Sequence, residues 1–294
     1  METNPPYELS IIIVNYDTAG MLYRCLNSIA SQWDIKTEVI VVDNASQDNS
    51  QDIIKENFPW VKLIANKHNL GFGRANNQAL KSCKAKYVYF LNPDTELRQG
   101  VLRAMIEFME SHPEVGLAGT RIINPDGSPQ SSVEKRYPGE KHAKHDLKRL
   151  RGGIAWVLGA SMIARRGIVE GLGGFDESFF LYGEEQDLCL RVRKAGSTIG
   201  YIPDSVVVHW GGQSERNALP VEVWKKKFDA ELVFYRKHYS KRAIRAIRRA
   251  KLIQALWRVF TLKLTIPFSS DKESSLKKLD KYKLVLRTFH TKSI

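Results

Sequence analysis

Four short apolar runs dominate the first third of the chain: LSIIIVNY (9–16), EVIVVDNAS (38–46), VKLIAN (61–66) and YVYFLN (87–92). Between them lie stretches of helical periodicity, at 19–31, from 48–50 onward and through GRANNQALKSC (73–83). Runs this short and this rich in Ile and Val read as strands buried on both faces. A helix between successive strands makes them parallel neighbours, because a parallel partner is reached only through a crossover. A helix over 100–111 and the run VGLAGTRI (115–122) extend the pattern. These residues predict an α/β fold with a mostly parallel central sheet flanked by helices.

Downstream the pattern loosens. NPDGSP (124–129) is a turn, and the polar, basic stretch 133–153 has too few apolar positions for a core element, so it reads as a loop. AWVLGASMIAR (155–165) returns to strand, and GGFDESFF (173–180) is a turn-rich loop. GEEQDLCLRVRKAG (183–196) is a helix that Gly196 stops, and TIGYIPDSVVVHW (198–210) gives two short strands around Pro203 and Asp204. The sheet domain is expected to span residues 1–239. A C-terminal basic helical extension follows over 240–294, as two helices separated by a break at 267–275.

Composition excludes disorder, with 43% hydrophobic and 26% charged residues in 294. The net charge of +13 is unevenly placed. Residues 240–294 hold 15 Lys and Arg against three acids, whereas the first 239 residues hold 30 against 29. Cys25, Cys83 and Cys189 form no CxxC pair, which argues against a disulfide framework and for a reducing compartment. METNPPYELS has neither the basic start nor the apolar core of a secretory signal, and no run of 18 apolar residues occurs. A cytoplasmic location is expected.

Ligands of open α/β sheets bind beyond the carboxyl ends of the strands. Three such ends are polar here: Asn15-Tyr16-Asp17, Asp43-Asn44 and Asn92-Pro93-Asp94. One Asp after a strand is ordinarily a turn or cap residue, but three aligned ends weaken that reading. Asp43 has the chemistry to accept hydrogen bonds from a base or ribose, and Asp94 to hold a divalent cation bridging phosphate oxygens. In HNLGFGRANNQAL (68–80), Gly71 and Gly73 let a backbone approach a ligand at a helix start, where anions are favoured. The spacing is neither GxGxxG nor a P-loop. Glu184, Glu185 and Asp187 crowd the first turn of the 183–196 helix. Acids there complement the helix dipole, and one of them in a cleft would serve as general base. His209 follows a strand and precedes Gly211-Gly212, a place for a structural imidazole or for a metal ligand beside a carboxylate.

SIIIVNYDTAGMLYRCLNSI, EVIVVDNASQDNS, NLGFGRANNQAL, YVYFLNPDT, WVLGASMIARR, GGFDESFFLYGEEQDLCLRVRKAG and VVVHWGGQS lie in this order over roughly residues 8–215. Together they resemble the family-2 inverting glycosyltransferases of the Rossmann-like GT-A fold. Within that family the chain looks most like the bacterial rhamnosyltransferase-type branch that builds cell-surface polysaccharide. The resemblance implies that Asn15, Tyr16 and Asp43 contact the base and ribose of a nucleotide-sugar, and that Asn69, Gly71 and Asn76 line its pocket. It makes Asp94 the last acid of the metal-binding DxD motif, with His209 as second ligand, and implies Mg²⁺ or Mn²⁺. Glu185 takes the catalytic-base position, with Glu184 and Asp187 as rivals, and Trp156, Gly159 and Ala160 shape the acceptor side. The implied donor is dTDP-rhamnose or a UDP-sugar, and the implied acceptor a saccharide or polyprenyl-linked saccharide. Two departures stand out: Asn92 replaces the first DxD acid, and the base position holds Glu rather than Asp.

In the tail, Ile244, Ile247, Ile253, Leu256, Trp257 and Phe260 recur at three- to four-residue spacing among Arg and Lys, in a stripe that drifts. Such a segment suits an anionic membrane surface, which would make the protein peripheral on the inner face of the cytoplasmic membrane. A solvated extension or helices packed on the domain are the plainer alternatives. Two other functions fit less well. A sugar-nucleotide nucleotidyltransferase would carry a basic Gly-rich signature that IIIVNYDTAGML lacks. No nucleic-acid module is recognisable, so no nucleic-acid partner is expected.

Overall fold

The computed structural model of the chain describes residues 7–32, 34–212 and 219–291. Its first half follows the expected order: β1 (Leu9–Asn15), α1 (Ala19–Ala30), β2 (Thr37–Asp43), α2 (Ser50–Asn57), β3 (Lys62–Ala65), α3 (Phe72–Leu80) and β4 (Tyr87–Leu91). Strands β3, β2, β1 and β4 are parallel neighbours, with Asn15 level with Asp43 and Ile13 level with Leu91. Alternate residues feed two cores. Ile11, Ile13, Val41 and Tyr89 pack with Leu22, Cys25 and Leu26 of α1. Ile12, Ile40, Val42 and Phe90 pack with Ala75 and Ala79 of α3. Burial on both faces is why these strands read as unbroken apolar runs.

The second half departs from the sequence pattern. It contains β5 (Thr95–Leu97), α4 (Val101–Ser111), β6 (Val115–Ile123), β7 (Pro129–Gln130), β8 (Val133–Glu134) and α5 (Glu140–Ala143). There follow β9 (Trp156–Val157), β10 (Ser161–Arg165), α6 (Arg166–Gly171), α7 (Glu184–Lys194) and β11 (Thr198–His209). The main sheet runs β3-β2-β1-β4-β10-β6-β11-β5, with β7 beside β6, while β8 and β9 form a separate ribbon. β10 lies antiparallel between β4 and β6, and β5 antiparallel to β11. The chain reaches β10 through turns and the β8–β9 ribbon, without the helical crossover that enforces parallel pairing.

Two expected elements also differ in detail. The single strand at 155–165 is two, because the chain turns at Gly159 and Ala160 so that β9 pairs with β8 and β10 with the main sheet. The two strands expected around Pro203 are one, with a register shift between Ile202 and Val206 where proline cannot donate to the ladder.

The chain forms two units. The first comprises Met1–Tyr137, Leu150–Phe180 and Glu184–Arg216, and the second Pro138–Arg149, Leu181–Gly183 and Asn217–Ile294. The second unit contains α8 (Pro220–His238), α9 (Lys241–Thr265), a 3₁₀ turn at Ile266–Phe268 and α10 (Lys272–Thr291). It therefore starts some way before residue 240. The reason is packing: α8 buries Phe228, Leu232 and Phe234, and the Phe228 ring meets Phe289 of α10 at 6.3 Å. Part of the basic 133–153 stretch joins this unit, through Tyr239 donating to the Pro138 carbonyl (2.7 Å) and the Ser240 amide donating to Asp146 (3.0 Å). Among the described residues no helix is long and apolar enough to cross a membrane.

Candidate active site

The carboxyl ends of β1 and β2 are locked to each other. Asn15 donates to Asp43 Oδ1 at 3.0 Å, and Ser46 Oγ donates to the same oxygen at 2.5 Å. The Ser46 amide and Gln51 Nε2 donate to Oδ2 at 3.1 and 2.8 Å. Asn15 Oδ1 accepts from Thr18 at 2.7 Å. Both Asn15 and Asp43 are fully buried. Four donors thus engage the Asp43 carboxylate within its own neighbourhood, and the ribose contact implied by the resemblance would replace one of these bonds. Asp43 and Asn15 shape the loops after β1 and β2, and Tyr16 stays half-exposed beside them.

The segment before α3 is built as a backbone cradle. Asn69 Oδ1 accepts from Asn44 and from the Gly71 amide, both at 2.9 Å. Gly71 holds φ 84° and ψ 167°, a region essentially restricted to glycine. A Cβ there would lie 2.6 Å from the Phe180 carbonyl oxygen, which accepts from the Phe72 amide at 3.0 Å. Asn76 is buried and donates to the Phe72 carbonyl of its own helix (3.0 Å), so it stiffens the cradle from within. Asn77, which sequence reasoning missed, bonds both the amide and the carbonyl of Phe175 (2.8 and 2.9 Å) and pins the 173–180 loop to α3. Gly71→Ala is expected to destabilise the protein by about 1–3 kcal/mol from backbone strain alone, lowering Tm by roughly 2–4 °C per kcal/mol. An unchanged melting curve would contradict this role for Gly71.

At the end of β4 the short strand β5 changes the meaning of Asp94. Its pairing with β11 sets Thr95 opposite His209, and the Trp210 amide donates to the Asp94 carbonyl at 3.0 Å. Asp94 Oδ1 thereby lies 3.4 Å from His209 Nε2, with both residues buried. On the other side of the ring, Gln130 Oε1 accepts from His209 Nδ1 at 2.7 Å, which fixes the ring so that Nε2 is the nitrogen turned toward Asp94. Neighbouring ligands of an octahedral ion with bonds near 2.1 Å stand about 3 Å apart, so this donor pair fits a divalent cation. Among the described residues no group of three or more His, Cys, Asp or Glu converges, so the other ligands would be phosphate oxygens and water.

The acidic helix start sits against the same strand end. Ser161 is level with Leu91, and the Asn92 amide donates to the Ala160 carbonyl at 3.0 Å. A Cβ on Gly159 would meet Glu185 Cβ at 3.5 Å, so the Glu185 side chain packs on the Gly159 turn. The structure thus brings Glu185, Gly159, Ala160 and the Asn92–Asp94 turn together. Trp156 is half-buried and donates to the Arg136 carbonyl at 3.0 Å. Glu184 is buried beside Glu185. Asp187 is different: it is fully buried and accepts from Arg191 Nε at 2.6 Å, and Arg191 also donates to the Leu172 carbonyl. A carboxylate held in that pair anchors α7 and is poorly placed to take a proton from a substrate. The cysteines offer no nucleophile, because burial pushes the thiols of Cys25, Cys83 and Cys189 up to about 12. Gln213 and Ser214 of VVVHWGGQS lie outside the described residues.

The family profile described as Glycosyl transferase family 2 matches residues 10–173. The N-acetylglucosaminyl-diphospho-decaprenol L-rhamnosyltransferase of Mycobacterium tuberculosis is 27% identical over 231 residues, which is 68% of this chain and 75% of that protein. The amylovoran biosynthesis glycosyltransferase AmsE of Erwinia amylovora is 25% identical over 203 residues, covering 67% of this chain and 73% of its own. Among solved structures, the Pyrobaculum calidifontis mannosyltransferase PcManGT, in complex with GDP-Man and Mn²⁺, superposes with a TM-score of 0.61 at 17% identity. That match covers 98% of this chain and 86% of the other. Residues 1–349 of S. aureus TarS, in complex with UDP-GlcNAc, give a TM-score of 0.56 at 17% identity over 96% of this chain and 82% of the other.

Proposed function

The chain belongs to glycosyltransferase family 2, and on that premise we propose that it moves a sugar, with inversion, from a nucleoside-diphosphate sugar to a hydroxyl of a lipid-linked saccharide. The observation that carries this reading is the convergence at the end of β4, where Asp94 and His209 face each other and Glu185 packs on the adjoining Gly159 turn. The donor's nucleoside lies across the loops that Asn15 and Asp43 shape, against Tyr16. Its diphosphate meets the amino end of α3 at Gly71 and Asn69, where the helix dipole favours anions. Asp94 and His209 would hold Mg²⁺ or Mn²⁺, in keeping with the Mn²⁺ in the PcManGT complex, and a cation held there would supply positive charge against the charge growing on the leaving diphosphate.

Glu185 takes the proton of the acceptor hydroxyl as that oxygen bonds the anomeric carbon. The bond from that carbon to the diphosphate oxygen breaks on the opposite side, and the electron pair leaves with the nucleoside diphosphate. One displacement inverts the centre. Trp156, Gly159 and Ala160 border the acceptor's approach, and the small residues there leave room for a sugar ring beside Glu185.

The rhamnosyltransferase relative supports rhamnose as the sugar moved and a polyprenyl-diphosphate saccharide as acceptor; dTDP-rhamnose is the donor proposed, with UDP-sugars as the alternative in keeping with the TarS complex. A thermal-shift screen of dTDP- and UDP-sugars, with and without Mn²⁺, tests the donor half of the proposal. Stabilisation by one nucleotide class that deepens with Mn²⁺ is expected. No shift with any nucleotide-sugar would contradict the proposal.

A further inference from the structure

Helix α9 has two apolar faces, and only one is covered. Ala243, Ile244, Ile247 and Ala255 are buried, with Ile247 against Gly139, and α9 also packs along α10. Roughly opposite, Ile253, Leu256, Trp257, Phe260 and Leu264 follow at three- and four-residue spacing and are 57–68% exposed. The stripe runs on into Phe268, 90% exposed in the 3₁₀ turn that joins the two helices. This is why the apolar pattern of the tail drifts in the sequence: two stripes overlap along one helix. Toward the amino end, the exposed stripe is continued by Arg242, Arg245 and Arg249, all exposed at the same helical spacing, and Lys263 borders its apolar part. The face is therefore segregated along its length, cationic first and apolar toward the hairpin tip.

We propose that this α9–α10 hairpin docks on an anionic bilayer surface, with Leu256, Trp257, Phe260, Leu264 and Phe268 entering the headgroup–acyl boundary and Arg242, Arg245 and Arg249 lying among the headgroups. A contiguous exposed stripe of large apolar side chains marks a docking surface, and the adjoining cations specify an anionic partner. The charge pattern also argues against a second copy of the chain. Parallel pairing would stack the arginines of both copies, and antiparallel pairing would lay them on the partner's apolar half. A nucleic-acid backbone would satisfy the arginines but leave the aromatic stripe with nothing apolar to bury against. The exposed stripe runs along the length of α9 into the hairpin tip, so the proposed contact has the hairpin lying on the surface. Docking of the hairpin depends on no step of the transfer reaction, although it would bring the proposed active site to a lipid-held acceptor.

Flotation of the full-length chain with mixed phosphatidylglycerol–phosphatidylcholine vesicles tests it. The wild-type chain should float with these and much less with phosphatidylcholine alone. Trp257→Ser, Phe260→Ser and Phe268→Ser combined should lower the partition coefficient by roughly tenfold or more. Arg242→Gln, Arg245→Gln and Arg249→Gln combined should weaken binding and flatten its salt dependence. All six side chains are exposed, so circular dichroism and Tm should stay at wild-type values. Failure of the wild type to float, or flotation of the aromatic variant at the wild-type level, would overturn the proposal. So would a lipid-free dimer that the aromatic variant dissolves. Vesicle binding without any sugar transfer would leave the hairpin proposal standing and remove the enzymatic one.

Discussion

Glu185→Gln is expected to lower kcat for sugar transfer by about 10²–10⁴-fold, the usual contribution of a positioned general base. The affinity for the nucleotide-sugar should change little, because the cradle proposed to receive the donor is made of Asn69, Gly71 and the start of α3. The substitution is isosteric, so the carbons of Glu185 keep their packing on the Gly159 turn and a fold defect is not anticipated. Glu184→Gln is the matching control. Glu184 is equally buried, but Glu185 is the acid whose side chain lies on the turn bordering Asn92 and Asp94. Wild-type turnover in the Glu185 variant, with loss of turnover in the Glu184 variant, would move the base one residue back along α7.

The second large effect is expected from Asp94→Asn. The change keeps the size of the side chain and the Trp210 bond to the Asp94 main chain, and removes only the negative charge facing His209. Mn²⁺-dependent stabilisation by the nucleoside diphosphate should disappear. Transfer should fall by about 10²–10³-fold, the scale seen when one group that stabilises developing charge is lost. Because Asn92 already replaces an acid at this strand end, Asp94 is the sole carboxylate of the Asn92-Pro93-Asp94 turn, and no neighbour within the turn can take its place. A variant that still responded to Mn²⁺ as the wild type does would show that the cation is held elsewhere.

Much of this architecture is legible in the sequence because it rests on local periodicity. β1, β2 and β4 are buried on both faces, so each is a nearly unbroken apolar run, the half-buried edge strand β3 is the shorter run KLIA, and α1, α3 and α4 show one apolar stripe each. β5 is not legible. Thr95–Leu97 is three residues long, and its strand character comes from pairing with β11 far along the chain. That pairing is also what brings Asp94 to His209, so the family resemblance names these two residues together while residue spacing alone does not reach the pairing. Gln130, which fixes the His209 ring, and Asn77, which pins the loop before α7, are ordinary polar residues whose roles exist only through contacts 79 and 98 residues away. For Asp43 the sequence marks an acid at a strand end but not its surroundings: packing supplies it with donors from its own loop, from β1 and from α2. The acids of α7 cannot be ranked from sequence because all three share one helical turn. All three are buried, and the Arg191 pair marks Asp187 as an anchor of α7.

Inverting transfer with Glu185 as base is tested most directly by an assay with the full-length chain, Mn²⁺, a panel of dTDP- and UDP-sugars, and a polyprenyl-diphosphate saccharide presented in vesicles. The product is read by mass spectrometry and its new linkage by proton NMR. One added sugar from a single nucleotide class is expected, with the anomeric configuration opposite to that of the donor, and no product with Glu185→Gln. A product that retains the donor's configuration, or one that Glu185→Gln forms at the wild-type rate, would contradict the proposed mechanism.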